Sequence, residues 1–135
     1  MKLELLFEEI YPHPVEKVWR ALTDSAAIAS WLMANDFEPR AGKRFTLISA
    51  PVPGGRGLIE CEVIEIEPPR RMVWSWQNID GGQPTRVEFR LEAVEGGTRL
   101  NLSHTGDVDP SRRSRLAAGW PTKLEQLGAH LNTAI

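Results

Sequence analysis

The stretch Met72-Val73-Trp74-Ser75-Trp76-Gln77 sets two of the chain's five tryptophans two residues apart, with a methionine two residues before the first. Side chains along a strand point alternately to opposite faces, so Met72, Trp74 and Trp76 share one surface while Val73, Ser75 and Gln77 share the other. A surface that large and apolar fills a core, lines a ligand cavity or meets a partner protein. The segments on either side narrow the choice.

Strong turn signals surround the stretch: "PVPGG" at 51 to 55, "EPP" at 67 to 69, "DGG" at 80 to 82 and "EGG" at 95 to 97. From Arg44 onward the chain therefore reads as an antiparallel meander. Thr85, Val87, Phe89, Leu91 and Ala93 alternate with Arg86, Glu88, Arg90 and Glu92. Leu100, Leu102 and His104 alternate with Arg99, Asn101 and Ser103. Such strands bury one face and wet the other. Between 57 and 66 the phase changes: Ile59, Cys61 and Val63 share a face and Ile64 and Ile66 take the opposite one, which predicts a bulge that bends the sheet.

Residues 2 to 11 read as a first strand, with Leu3, Leu5 and Phe7 on one face and Leu6 and Ile10 on the other. "HPVEKVWRALTDSAAIASWLM" then reads as two short helices, with Pro14 at the first position of one and Asp24 capping the next. The pair is arranged like a helix-turn-helix, but "SAAIASWLM" carries no basic side chain to read a base edge. At the far end Asp109 and Pro110 start a helical turn, Gly119 is placed to end it, and Pro121 either starts the main helix or kinks a longer one. Leu116, Trp120, Leu124, Leu127 and Leu131 form one apolar stripe. From Pro121 to Thr133 such a helix is about 20 Å long, enough to lie across much of a sheet.

One strand, two helices, five strands and a closing helix make an α+β architecture with the helices on one side of an antiparallel sheet. The "MVWSWQ" face then points toward the last helix. At 135 residues and 15.1 kDa the chain is expected to be a single domain, residues 1–135, with a hydrophobic core of its own. Its formal charge of -2 supplies no field that would draw nucleic acid or anionic lipid, and Arg112, Arg113 and Arg115 are the one basic cluster. No segment approaches the roughly 20 apolar residues of a membrane span, and "MKLELLFEEI" mixes acids into the N-terminus, so a cytoplasmic protein without membrane insertion is expected. The lone Cys61 excludes an internal disulfide and a thiolate metal cage.

The segments "PVEKVWRALTDSAAIASWL", "FEPRAGKRF", "EVIEIEPPRRMVWSW", "TRVEFRLEAVEGGTRLNLSHTG" and "AGWPTKLEQLGAHL" together resemble the START-like, helix-grip superfamily. Within it they are similar to the domains like the C-terminal part of the activator of Hsp90 ATPase. The resemblance covers nearly the whole chain and implies a helix-grip fold: a curved antiparallel sheet wrapped around a long C-terminal helix, two short helices between strands 1 and 2, and an internal cavity. Members of the wider superfamily bind lipids, sterols, polyketides or hormones, and some are cyclases or dehydratases.

Trp31, Met72, Trp74, Trp76, Phe89, Trp120 and Leu124 are the expected cavity lining, with His104 inward among them. Core packing accounts for the same residues. Tryptophan, however, leaves gaps and carries an N–H that orients a polar group, whereas tight small cores favour aliphatic side chains. An inward histidine is either a hydrogen-bonded core residue or the polar anchor or general acid/base of a cavity. Glu60, Glu62, Glu9 and Tyr11 are expected in water. Histidines 13, 104 and 130 fall on a loop, a strand and a helix, so no metal site and no cofactor are expected. There is no G-x-S-x-G elbow and no P-loop.

Three functions follow from these residues and that resemblance. The first is binding of a hydrophobic or amphipathic small molecule by a monomer or homodimer. The second is cyclase or dehydratase chemistry in the same cavity with His104 as proton shuttle. The third is protein interaction of the Hsp90 co-chaperone kind.

Overall fold

The computed structural model describes residues 2–52, 55–78 and 83–133. Its elements, in chain order, are β1 (Lys2–Tyr11), α1 (Val15–Thr23), α2 (Ser25–Trp31), β2 (Ala34–Asn35), β3 (Arg44–Val52), β4 (Gly55–Glu67), β5 (Arg71–Asn78), β6 (Thr85–Val94), β7 (Gly97–Asp107) and α3 (Pro110–Thr133). The strands make one antiparallel sheet in the order β1-β7-β6-β5-β4-β3-β2.

Alternation in the sequence becomes sidedness in the sheet. In β6 the residues Thr85, Val87, Phe89 and Leu91 are buried while Arg86, Arg90 and Glu92 are exposed, and in β7 Leu100, Leu102 and His104 point the same way. The phase change in β4 is a register shift between Val63 and Glu65, as the sequence pattern predicts, and it bends the strand around the helix. The "EGG" turn closes β6 onto β7 with Gly96 at φ +83, a conformation that suits glycine. The turn signal at 80–82 and part of that at 51–55 lie outside the described residues.

Four local expectations are corrected. The sheet gains β2, whose two residues are too short to leave a periodicity. It is organised by the Asn35 amide, which donates to the carbonyls of Ser25 and Met33 and accepts from the Phe37 N–H. Pro14 sits one place before α1 as its N-cap, with ψ 155, whereas Asp24 caps α2 as expected by accepting from the Ala27 N–H at 2.9 Å. Tyr11 is buried, not in water: its hydroxyl donates to the Leu124 carbonyl at 2.8 Å.

The fourth correction concerns Gly119, which does not end a helix: α3 runs unbroken through it and through Pro121, the longer of the two readings for Pro121, for 24 residues, about 36 Å. A glycine and a proline inside a helix cost roughly 1 and 3 kcal/mol. Burial of Trp120, Leu124, Leu127 and Leu131, at roughly 1.5–3 kcal/mol for each aliphatic side chain, outweighs that cost. Packing against the sheet, rather than local propensity, sets the length of this helix.

On the convex face Val73 is fully buried, although its side of β5 is otherwise polar. It is flanked in register by Glu65 and Glu88, which the Arg71 guanidinium bridges at 3.1 Å each while also donating to Glu67 at 3.0 Å.

Candidate functional site

The inner surface of β5 faces α3. Met72, Trp74 and Trp76 lie on it, almost wholly buried, and their rings organise two connected clusters. Trp74 meets Phe45 and Phe89 edge-on, with centroids 5.0 and 4.8 Å away, and Phe37 at 5.8 Å. Trp76 meets His104 at 5.3 Å and Trp120 of α3 at 5.5 Å. Phe89 and Trp120, 6.4 Å apart, join the two. Leu124 is buried one helical turn beyond Trp120. Trp31 stands elsewhere: fully buried, it donates its indole N–H to the Ala21 carbonyl at 2.8 Å and ties α2 to α1.

His104 is enclosed by a polar chain. The Trp120 indole N–H donates to its Nδ1 at 3.0 Å, and because indole is a donor only, Nδ1 is unprotonated. Nε2 therefore carries the proton and donates to Thr85 Oγ1 at 2.7 Å, and the Thr85 hydroxyl donates to the Trp76 carbonyl at 3.0 Å. Burial pushes the imidazole pKa down to about 4, so the ring is neutral at physiological pH. Every polar atom of His104 and Thr85 is used. The buried polar or charged residues among those described are Thr85, Thr98 and His104, so this interior offers no carboxylate and no cation.

Two donors are not used. The indole N–H groups of Trp74 and Trp76 are buried and have no hydrogen-bond partner among the described residues. Leaving a buried N–H unpaired costs about 1–3 kcal/mol, so two on one strand are a considerable expense in a domain of marginal stability.

The sequence named Trp31, Met72, Trp74, Trp76, Phe89, His104, Trp120 and Leu124 as one set; the last seven lie buried on the facing surfaces of sheet and helix, whereas Trp31 is set apart against α1. Sequence reading did not single out Thr85, Phe37 or Phe45 for the site, and it placed the buried Tyr11 in water. Thr85 had a signal, since it is the hydroxyl on the apolar face of an otherwise aliphatic and aromatic strand. Phe37 had none, because it lies between elements. Glu60 is exposed as expected, and among the described residues no group of three or more histidine, cysteine, aspartate or glutamate side chains gathers to hold a metal ion. Nor, among them, is any helix long and apolar enough to cross a membrane.

A curved antiparallel sheet closed over a long C-terminal helix, with two short helices after the first strand, defines a helix-grip domain. Residues 12–132 match the family described as Activator of Hsp90 ATPase homolog 1-like protein, and the chain belongs to that family. Protein MLL2253 from Mesorhizobium loti is similar at 33% identity, with 98% of this chain and 99% of that one covered and a TM-score of 0.86. CalU16 from Micromonospora echinospora is 27% identical, with 96% and 76% covered and a TM-score of 0.79. DynU16, from the dynemicin biosynthetic locus, shares the fold at 24% identity and a TM-score of 0.83; 96% of this chain covers 47% of that protein. No curated protein matches the chain.

Proposed function

We propose that the domain binds a small hydrophobic or amphipathic molecule between β5 and α3, lined by Met72, Trp74, Trp76, Phe89, Trp120 and Leu124. The observation that carries this reading is the pair of buried indole donors on β5 that have no partner among the described residues. An indole N–H can only donate, so the ligand presents an acceptor there: a carbonyl, ether or hydroxyl oxygen. With no cation among the buried described residues, a carboxylate would be stranded, and a neutral acceptor fits better.

Magnitudes call for such an anchor. Eight buried methylenes return roughly 6 kcal/mol gross, and association consumes about 4 kcal/mol or more of it. Apolar contact alone binds weakly and without selectivity. One directional bond from Trp74 or Trp76 supplies both affinity and orientation.

Proton-shuttle chemistry receives less support. Both nitrogens of His104 are engaged, the ring is neutral, and the buried polar residues among those described include no carboxylate or second histidine to act as its partner; burial also raises the pKa of Tyr11 and of Cys61. Hsp90 interaction rests on family membership alone.

Native mass spectrometry of the protein purified from its own host tests the binding reading. The expected result is a retained small molecule that is lost from folded Trp74→Phe or Trp76→Phe protein. No retained mass in the wild type, or equal retention in both variants, would remove the indole donors from any site.

A further inference from the structure

A groove of about 610 Å³ lies outside the core, where α1, α2 and the C-terminal part of α3 meet. Ala21, Ala27 and Leu131, all buried, form its apolar floor. Lys17, Arg20, Ser30 and His130 line it from three different helices. Its size falls within the roughly 300–1,000 Å³ of small-molecule sites. None of the residues assigned to the interior between β5 and α3 lines it.

The cations of this groove lack the carboxylate partners that several other basic side chains of the surface have. Lys43 meets Glu38 at 3.0 Å, Arg99 meets Glu8 at 3.1 Å, and Arg71 meets three carboxylates. Among the described residues no carboxylate lies within ion-pair distance of Lys17 or Arg20, which stand three apart on α1 and so on one face. The Lys17 ammonium, half-buried, donates instead to His13 Nδ1 at 3.4 Å. His13 Nε2 in turn donates to the Asn132 amide oxygen at 2.9 Å, so neither His13 nor Asn132 brings a negative charge to the ammonium. Asp24 is the acidic residue of the lining, and its carboxylate is engaged as the N-cap of α2. Across the groove His130 Nδ1 and Ser30 Oγ, 3.3 Å apart, link α3 to α2 and present further hydrogen-bonding groups.

The geometry points to a second binding site here, for a small organic anion. Its carboxylate or phosphate group bridges Lys17 and Arg20, and its apolar body rests on Ala27 and Leu131. The exposed Arg20 guanidinium supplies a planar fork that pairs with two oxygens of either group, and Lys17 supplies a point charge. The interior between β5 and α3 suits a neutral acceptor, so the two sites select opposite chemistries and stand or fall separately.

The experiment is an NMR titration of the isotopically labelled full chain with benzoate, phenyl phosphate and inorganic phosphate, each at constant ionic strength. Saturable shifts confined to Lys17, Arg20, Thr23, Ser30 and His130 are expected for at least one organic anion. Affinity should fall about tenfold or more in Arg20→Gln and in Lys17→Gln, the effect of losing one charge-assisted hydrogen bond. Arg113→Gln, outside the groove, should leave it unchanged. Tighter binding of benzoate or of phenyl phosphate assigns the anionic group as carboxylate or phosphate, and either supports the site. Shifts that do not saturate, or an affinity unaltered in the well-folded Arg20→Gln protein, would overturn it. So would inorganic phosphate binding as tightly as phenyl phosphate, which marks an adventitious ion only.

Discussion

Trp120 on α3 donates its indole N–H to Nδ1 of His104 on β7, at 3.0 Å, and this bond is a polar tie between the long helix and the inner face of the sheet. It also fixes the tautomer of a histidine that no solvent reaches. A buried neutral imidazole makes stability depend on pH. The folded-state pKa of about 4 lies below the ordinary 6.5, so between those values the unfolded chain holds more protons than the folded one.

Stability is therefore expected to fall as pH drops from about 6.5 to about 4, by roughly 3 kcal/mol, and His104 adds no further loss below that window. Carboxylates with lowered pKa act later: Glu65, held down by hydrogen bonds from Arg71 and by its charge, loses its contribution only as pH falls below the usual 4.5. Urea unfolding between pH 7 and pH 4.5 reads the effect. His104→Gln, which keeps a donor and an acceptor but does not titrate, should flatten the slope; an unchanged slope assigns it to other groups.

Thr85 completes the chain by accepting from His104 Nε2 and donating to the Trp76 carbonyl. Thr85→Val keeps the shape and deletes both bonds, leaving a buried N–H without an acceptor. The expected cost is about 1–3 kcal/mol in chemical unfolding. Thr85→Ser should recover most of it.

Gly119 and Pro121 lie inside α3 without visible benefit to packing: Pro121 is exposed, and a Cβ added at Gly119 meets nothing within 4 Å. Gly119→Ala should stabilise the protein by about 0.5–1 kcal/mol, and Pro121→Ala should also raise the melting temperature by restoring a helix N–H. A lower melting temperature in either variant would show that the native residue serves the packing of Trp120.

Gly128 behaves differently because a Cβ there would sit 3.2 Å from Cε1 of the Tyr11 ring. That ring is buried and tethered through its hydroxyl to Leu124, so it cannot yield freely. Gly128→Ala is expected to destabilise the wild type but to stabilise a Tyr11→Ala background by about 1 kcal/mol, its ordinary helix-propensity gain. Thermal unfolding of the four proteins in the cycle measures the coupling.

Much of this was legible in the residues because the information is local. The period-two runs at 85–91 and 99–104 and the phase change near Ile64 foretell the sheet faces and the bend, although Ala93, in phase with the first run, is exposed; the spacing of Trp120, Leu124, Leu127 and Leu131 foretells the buried stripe of α3. The Gly119 stop was misread because helix-breaking propensities of a few kcal/mol are weighed against burial that the sequence does not display. Tyr11 was misread for the same reason, since its partner lies 113 residues away.

The candidate site divides along the same line. Which side chains face inward follows from strand and helix periodicity, a property of neighbouring residues alone. Which of their polar atoms are already bonded does not: His104 is satisfied by Thr85 and Trp120, 19 and 16 residues away, while the indole N–H groups of Trp74 and Trp76 find no partner among the described residues. Hydrogen bonds are directional and short, so only the meeting of distant segments at a few ångströms assigns the free donors to the tryptophans of β5 and the closed network to the histidine of β7.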